Sequence, residues 1–149
     1  MGSFDKEFKG KIIDDKDKFL VNLSFTSNWI ASKYTDFLKP FDLSTQQFNI
    51  LRILRGAKDW LAMSLVKERM VDKAPNTTRL ADKLTAKGLV ERRRSEDDRR
   101  VVYVKITEKG LELLKEIDVL NIDYKSTIVD RVTKEEAKMV NKILDRLRG

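Results

Sequence analysis

The amino-acid sequence predicts a mainly α-helical fold with a small β-hairpin wing, that is, a winged helix-turn-helix with terminal dimerisation helices. An amphipathic segment at 76–87 carries a basic polar face, which is typical of a DNA-reading helix. Two apolar β-type runs follow it, separated by a highly charged tip. Long helical patterns at both ends of the chain hold more apolar residues than one domain of this size readily buries.

The composition narrows the class of protein. The 149 residues fit a single domain, expected to span 1–149, and the net charge of +7 predicts a polyanionic partner. The sequence has no cysteine and no histidine, which excludes disulfides and thiol redox sensing and argues against a metal site. We therefore expect no metal and no cofactor. No apolar run approaches the roughly 20 residues that span a bilayer, so we expect a cytoplasmic protein without a membrane partner.

The first two helices are delimited by proline and by a capping pattern. A long helix is predicted from about 15 to 38, and Pro40 ends it because the residue before a proline is pushed out of the α region. Ser44 with Gln47 three residues later forms a capping-box pattern. The helix that this box opens is expected to end near Gly56.

The next two helices make the helix-turn-helix candidate. A third helix is predicted at about 63–70 and a connection at 71–74, and Pro75 suits the first turn of the following helix. That fourth helix has an apolar face and an outward polar face. The outward residues are Thr78, Arg79, Asp82 and Lys83. Asp82 either repels phosphate or orients a neighbouring cation such as Arg79. A solvated surface helix would show the same pattern.

The wing is predicted from apolar runs at 89–90 and 101–104 around a tip at 92–100. An aspartate beside an arginine in such a tip braces the guanidinium and leaves its other donors for a narrow minor groove. A merely solvated loop is the alternative, but the wing follows a basic helix, and residues 76–105 hold nine Lys/Arg against five Asp/Glu, a net charge of +4. The candidate DNA-binding side chains are Asn76, Thr77, Thr78, Arg79, Lys83, Arg94, Arg99 and Arg100, with Asp98 as the brace.

Two further helices are predicted after the wing. Thr107 caps the first, which runs to about 130, and Thr133 with Glu136 forms a second capping box for the last. The apolar surface of the terminal helices either packs on the central unit or meets a second copy of the chain. We expect the second arrangement, a homodimer.

Two segments, 43–56 and 78–110, resemble the multiple-antibiotic-resistance regulator (MarR) family of winged helix-turn-helix transcription regulators. The wing signature of that family, Asp-x-Arg with a valine four positions later, is matched by Asp98, Arg100 and Val104. Its Leu/Ile-Thr-x-x-Gly element is matched by Ile106, Thr107 and Gly110.

The resemblance implies a homodimer in which about 43–110 bind DNA and about 15–38 and 107–147 dimerise. It places Thr78 and Arg79 on the helix that enters the major groove, and Arg100 in the minor groove. It also implies a possible small aromatic effector between the two regions. The candidate pocket residues are Phe25, Trp29, Phe48 and Trp60, for which ordinary core packing is the alternative.

The predicted function is therefore a sequence-specific transcription regulator, a ligand-responsive repressor that binds a pseudo-palindromic site in double-stranded DNA as a homodimer. The alternative is a winged-helix module that binds a protein partner, or nucleic acid without sequence specificity. The two differ in whether affinity depends on the duplex sequence. We do not expect an enzyme, because no tight constellation of nucleophile and base stands out.

Overall fold

The predicted fold class, mainly helical with a small antiparallel sheet, is confirmed by a computed structural model that describes residues 3–73 and 75–149. A 3-10 turn at Lys39–Phe41 follows the second helix. The elements are α1 (Phe4–Glu7), α2 (Asp15–Leu38), α3 (Thr45–Ala57), β1 (Leu61–Ala62), α4 (Met63–Arg69), α5 (Thr77–Ala86), β2 (Val90–Arg94), β3 (Val102–Ile106), α6 (Glu108–Val129) and α7 (Lys134–Arg148).

The predicted caps are present. The Ser44 hydroxyl accepts from the Gln47 amide at 3.1 Å, and the Gln47 side chain accepts from the Ser44 amide at 3.0 Å. Thr133 and Glu136 repeat this arrangement at the start of α7. Thr107 caps α6 by accepting from the amide of Gly110 at 3.1 Å. These side chains satisfy amides that a helix start leaves unpaired, so they fix where α3, α6 and α7 begin.

The start of α5 differs from the prediction. The carbonyl of Asn76 accepts from the Leu80 amide at 3.1 Å, so Asn76 is the cap and Pro75 lies before it rather than in the first turn. Of the predicted connection, Ala74 lies outside the described residues. The other end is as predicted: Gly88 has φ +73°, a left-handed conformation that glycine adopts without strain.

The sheet is larger than the predicted hairpin. Its strand order is β1–β3–β2, all antiparallel, and Leu61 of β1 pairs with Val104. Arginines at 92–94 pair with residues 102–104 in the ladder, so β2 takes in part of the expected tip. The observed tip is 95–101, closed by a hydrogen bond from the Ser95 amide to the Val101 carbonyl at 2.9 Å.

The core joins α3, α4, α5, the sheet and the first half of α6. Its fully buried side chains include Ile50, Leu51, Leu54, Val66, Leu84, Val104, Leu114 and Ile117. In contrast, α7 contributes no buried residue. The core therefore holds α5 and the wing in a fixed relation. Within the described ranges, none of the helices has the length and apolar character that crossing a membrane requires.

Candidate DNA-binding surface

The polar face of α5 is exposed as its periodicity predicts. Leu80, Ala81 and Leu84 are buried against the core. The four residues of the opposite face, Thr78, Arg79, Asp82 and Lys83, are all exposed. The helix thus presents two cations and a hydroxyl to solvent while its apolar side fixes its orientation.

Thr77 does not belong to this face. Its side chain is only 1% exposed, and its hydroxyl lies 3.5 Å from the sulfur of Met70, at the end of α4. The assignment of Thr77 to the DNA-binding surface is wrong for its side chain, because the first turn of α5 points it inward. Asn76, directly before the helix, is exposed.

The cation beside Asp82 is Arg92 of the wing, not Arg79. The Arg92 guanidinium donates to the Asp82 carboxylate and forms an ion pair with it. This contact offsets the one negative charge on the exposed face of α5. It also connects the outward helix face directly to β2.

Arg93 points to the opposite side of the wing, as alternation along a strand requires. Its guanidinium carbon lies 4.4 Å from the centre of the Trp60 ring and 5.8 Å from that of Tyr103. Cation–π contacts of this kind favour a fixed guanidinium position. Two of the three consecutive wing arginines are therefore engaged within the protein, which a count of charges does not reveal.

The wing tip carries the predicted pair of Asp98 and Arg100. A carboxylate oxygen of Asp98 accepts from the Arg100 backbone amide at 3.0 Å and from its Nε at 3.3 Å. The Arg100 side chain is 93% exposed, so the rest of the guanidinium faces solvent. Arg94 and Arg99 are exposed on the same wing.

One cleft brings the helix and the wing together. Thr78 and Arg100 both line a cleft of about 390 Å³, and so do Ser64 and Lys67 of α4. Sequence reasoning missed Ser64 and Lys67. The available signal was their spacing of three on a helix whose buried side carries Val66.

The four predicted pocket aromatics do not meet. Phe25 contacts Phe4 edge-on with ring centres 5.8 Å apart, and Phe48 is a core residue, 6% exposed. Trp29 lines a groove formed by α2, the end of α6 and α7, whereas Trp60, directly before β1, packs against Arg93 of the wing. A single pocket built from this set is therefore wrong, because Phe25 and Trp29 lie on α2, whereas Phe48 is in the core and Trp60 is beside the wing.

A different aromatic cluster lies between α2 and α6. Phe37 and Tyr124 stack with ring centres 4.6 Å apart, and Tyr34 meets Tyr124 edge-on at 5.4 Å. Burial raises the pKa of both tyrosines above the ordinary value, so both hydroxyls stay protonated. Within the described residues, the buried Tyr124 hydroxyl and the side-chain oxygen of Asn121 have no hydrogen-bond partner.

The chain matches known transcription regulators. The family model for the transcriptional regulator SarA/Rot matches residues 32–117. The regulator SarZ of Staphylococcus haemolyticus is 31% identical over 103 residues, which cover 66% of this chain and 69% of SarZ. The transcriptional repressor MprA of Escherichia coli is 50% identical over 42 residues, and this match spans about a quarter (24%) of MprA.

The fold is also similar to that of solved transcription regulators. A crystal structure of a mutant of E. coli MarR complexed with operator DNA superposes with a TM-score of 0.75. The match covers 91% of this chain and 99% of that chain at 24% identity. The predicted resemblance to MarR regulators is thereby confirmed at the level of the fold, and a sequence match to E. coli MarR agrees with it.

Proposed function

Because the chain belongs to the SarA/Rot family of transcriptional regulators and has the MarR winged helix-turn-helix fold, we propose that it is a repressor that binds a specific site in double-stranded DNA as a homodimer. One observation carries the proposal: Thr78 on the exposed face of α5 and the braced Arg100 of the wing line a single cleft, with Arg79 and Lys83 exposed on the same helix face. This arrangement matches what a duplex offers to a helix in the major groove and a wing in the adjacent minor groove.

The roles of the side chains follow from their positions. Thr78, Arg79 and Lys83 on α5 read base edges or phosphates in the major groove. Arg100 enters the minor groove, where Asp98 holds its Nε side. Asn76, Arg94 and Arg99 are exposed around these residues and contact the DNA backbone.

The terminal helices bind a second chain, which brings a second DNA-binding region. Apolar side chains on α6 and α7 are half to two-thirds exposed, namely Val119, Ile122, Val129, Met139, Val140 and Leu147. A second chain covers these side chains in the homodimer. Each chain is then a single domain in which region 43–110 binds DNA and segments 15–38 and 107–147 dimerise. Two identical readers then select a pseudo-palindrome with half-sites about one helical turn, roughly 10 bp, apart.

The junction of α2 and α6 supports a response to a small aromatic effector. Tyr34, Phe37 and Tyr124 form an aromatic cluster there, and the buried Asn121 side-chain oxygen is an acceptor to which no described residue donates. A phenol has the ring and the hydroxyl that this cluster matches. Thermal shifts with a series of phenols test this part: Asn121→Leu should lose the shift that the parent shows, whereas a shift unchanged in Asn121→Leu contradicts it.

The decisive test begins with selection of bound fragments from a genomic library, followed by affinity against salt for the selected and for random duplexes. Arg79→Ala should cost about 1–3 kcal/mol on the selected site and relax sequence preference if Arg79 reads a base. Arg100→Ala should weaken binding to most duplexes and flatten the salt slope by about 0.9 per half-site, because one groove contact is lost from each reader.

Control variants separate these effects from folding. Asp98→Ala should imitate Arg100→Ala in part, because the guanidinium loses its brace but keeps its charge. Arg131→Ala, in the connection between α6 and α7, should leave DNA binding unchanged. Circular dichroism checks that all variants are folded. If Arg100→Ala binds both duplexes like the parent at every salt concentration, the wing assignment is wrong. If the parent binds every duplex equally, the alternative module without sequence specificity is correct.

A further inference from the structure

Asp82 is the only acidic residue in the sequence of α5. It lies on the exposed face of that helix, together with Thr78, Arg79 and Lys83. An exposed carboxylate on a face that meets DNA repels the phosphates, so a helix that bound only the backbone would bind better without it. The role of Asp82 must therefore differ from that of its cationic neighbours.

The wing holds the Asp82 carboxylate in one orientation. Its Oδ1 accepts a hydrogen bond from Nη1 of Arg92, which lies in β2. Among the hydrogen bonds formed within residues 3–73 and 75–149, none uses Oδ2 of Asp82, and this side chain is 49% exposed. The contact with Arg92 also offsets the negative charge. The pair therefore presents an oriented acceptor oxygen at a reduced electrostatic cost.

The position of Asp82 along α5 places this oxygen near base edges. The inference rests on the proposed function, in which α5 lies in the major groove. Asp82 is one helical turn beyond Thr78 and three residues beyond Arg79, so the three side chains follow one another along one face. Three residues of helix rise about 4.5 Å and stacked bases are about 3.4 Å apart, so Asp82 lies within about two base pairs of the base that Arg79 meets.

The chemistry of the free oxygen selects one base. A carboxylate only accepts hydrogen bonds, whereas guanine and thymine present acceptor atoms in the major groove, and adenine presents an acceptor beside its donor. Cytosine presents its N4 amino group as a donor, which is the usual partner of an aspartate. We propose that Oδ2 of Asp82, oriented by Arg92, accepts from N4 of a cytosine and so determines specificity at one base pair of each half-site.

The test uses Asp82→Asn, which keeps the size of the side chain and an oxygen for Arg92 but replaces the free acceptor by a donor. In the selected duplex, each base pair of one half-site is replaced in turn by the three others, and the affinities are measured. The parent should lose about fivefold or more in affinity when the cytosine is replaced. Asp82→Asn should prefer adenine at that position, since the amide of an asparagine pairs with N6 and N7 of adenine. Its preferences elsewhere should equal those of the parent.

Two further variants separate base recognition from charge and from the position of the wing. Asp97→Asn removes an exposed acid from the wing tip and should leave every base preference unchanged. Arg92→Gln removes the guanidinium that orients Asp82, so it should weaken the preference for cytosine without creating one for adenine. Circular dichroism checks that each variant is folded. The affected position should lie within about two base pairs of the one at which Arg79→Ala relaxes the preference.

The outcomes separate this contact from the proposed function. If the parent selects a site and Asp82→Asn keeps every base preference of the parent, the cytosine contact is wrong and the proposed function stands. The contact is also wrong if Asp82→Asn binds all duplexes more tightly by the same factor as Asp97→Asn, because the acid then only repels phosphate. A uniform loss of affinity in folded Asp82→Asn overturns it as well, since the pair then only positions the wing. If the parent binds every duplex equally, both proposals are wrong.

Discussion

The region proposed to bind DNA and the terminal helices differ in how completely a single chain buries their apolar surface. Between α3 and β3, residues such as Leu51, Leu54 and Leu84 are fully buried. Along α7 no residue is buried, and Met139 remains 64% exposed although the helix is as well capped as α3. The first region is complete within one chain, whereas the second has a formed helix but no cover for its apolar side.

This difference implies that the stability of the terminal helices depends on protein concentration, whereas the stability of the other region does not. A core that is closed within one chain keeps its shape in a monomer, whereas an apolar helix face gains its stability from a partner by mass action. The reader should therefore remain folded when the dimer is broken. Its affinity for a two-half-site operator should then fall, because the two readers no longer bind as one unit.

The largest expected effect comes from a charge placed on the exposed side of α7. Val140→Asp should cost about 3 kcal/mol or more of dimer stability, because an unpaired carboxylate would be buried between the chains. Sedimentation equilibrium should show a monomer of 17.4 kDa at concentrations where the parent is dimeric. Val71→Asp is the matched control, since Val71 is 92% exposed but lies outside the terminal helices. A parent that is monomeric at micromolar concentration and on DNA would contradict the homodimer.

The second effect tests how the two regions are joined. An added Cβ at Gly110 would lie 2.5 Å from the Leu89 carbonyl oxygen and 2.7 Å from a side-chain carbon of Ile106. Gly110→Ala should therefore destabilise the fold by about 1–3 kcal/mol, since the backbone between α5 and β2 must move. Urea unfolding measures this change in the free energy of unfolding.

Gly56→Ala is the matched control for this substitution. Nothing lies within 4 Å of a Cβ at Gly56, which is near the end of α3. Alanine there should stabilise the fold by up to about 1 kcal/mol, because it favours the helix and restricts the unfolded chain. If both substitutions shift the unfolding midpoint in the same direction, the close approach at Gly110 is not what determines stability.

The sequence predicted the features that local chemistry determines. The capping boxes at Ser44 and Thr133 and the left-handed Gly88 need only residues close in sequence, so their patterns are direct signals. The tip pair of Asp98 and Arg100 is equally local, because its members are separated by a single residue. Ser44 and Thr133 fix where α3 and α7 begin, and Gly88 fixes where α5 ends.

The missed features depend on contacts distant in sequence. Strand β1 has only two residues, too few for any periodicity, and exists because it pairs with β3. The partner of Asp82 lies ten residues away in another element, and Trp60 is positioned by Arg93. Thr77 was misplaced because a one-residue uncertainty in the start of α5 rotates its first turn by about 100°.

A third, smaller effect concerns the link between α5 and the wing. The ion pair of Asp82 and Arg92 is about a third to a half exposed, so it should contribute less than about 1 kcal/mol to stability. Its expected role is to hold the wing against α5 and to offset the charge of Asp82 near DNA. Arg92→Asp should weaken DNA binding, and the exchange Asp82→Arg with Arg92→Asp should recover part of the loss at unchanged net charge. Arg99→Asp is the control: adding Asp82→Arg to it should not recover the lost DNA affinity. Equal affinities for Arg92→Asp and the exchanged pair would show that the pair does not position the wing.

The smallest effect compares the two capping boxes. Hydrogen bonds from the amide and then the hydroxyl of Thr133 hold the pKa of Glu136 below its ordinary value of 4.5. Because the pKa of Glu136 is lower in the folded than in the unfolded chain, the box stabilises α7 at pH values above the ordinary pKa. This contribution is lost as the pH falls through the folded pKa. The box of Ser44 and Gln47 contains no titrating group, so it should not respond. Amide shifts followed by NMR from pH 6 to pH 3 should therefore move at Glu136 and stay constant at Gln47. Glu136→Gln, which keeps the acceptor without the titration, should remove the response in α7. If it persists in that variant, another acid near α7 is responsible and the box does not make this region sensitive to pH.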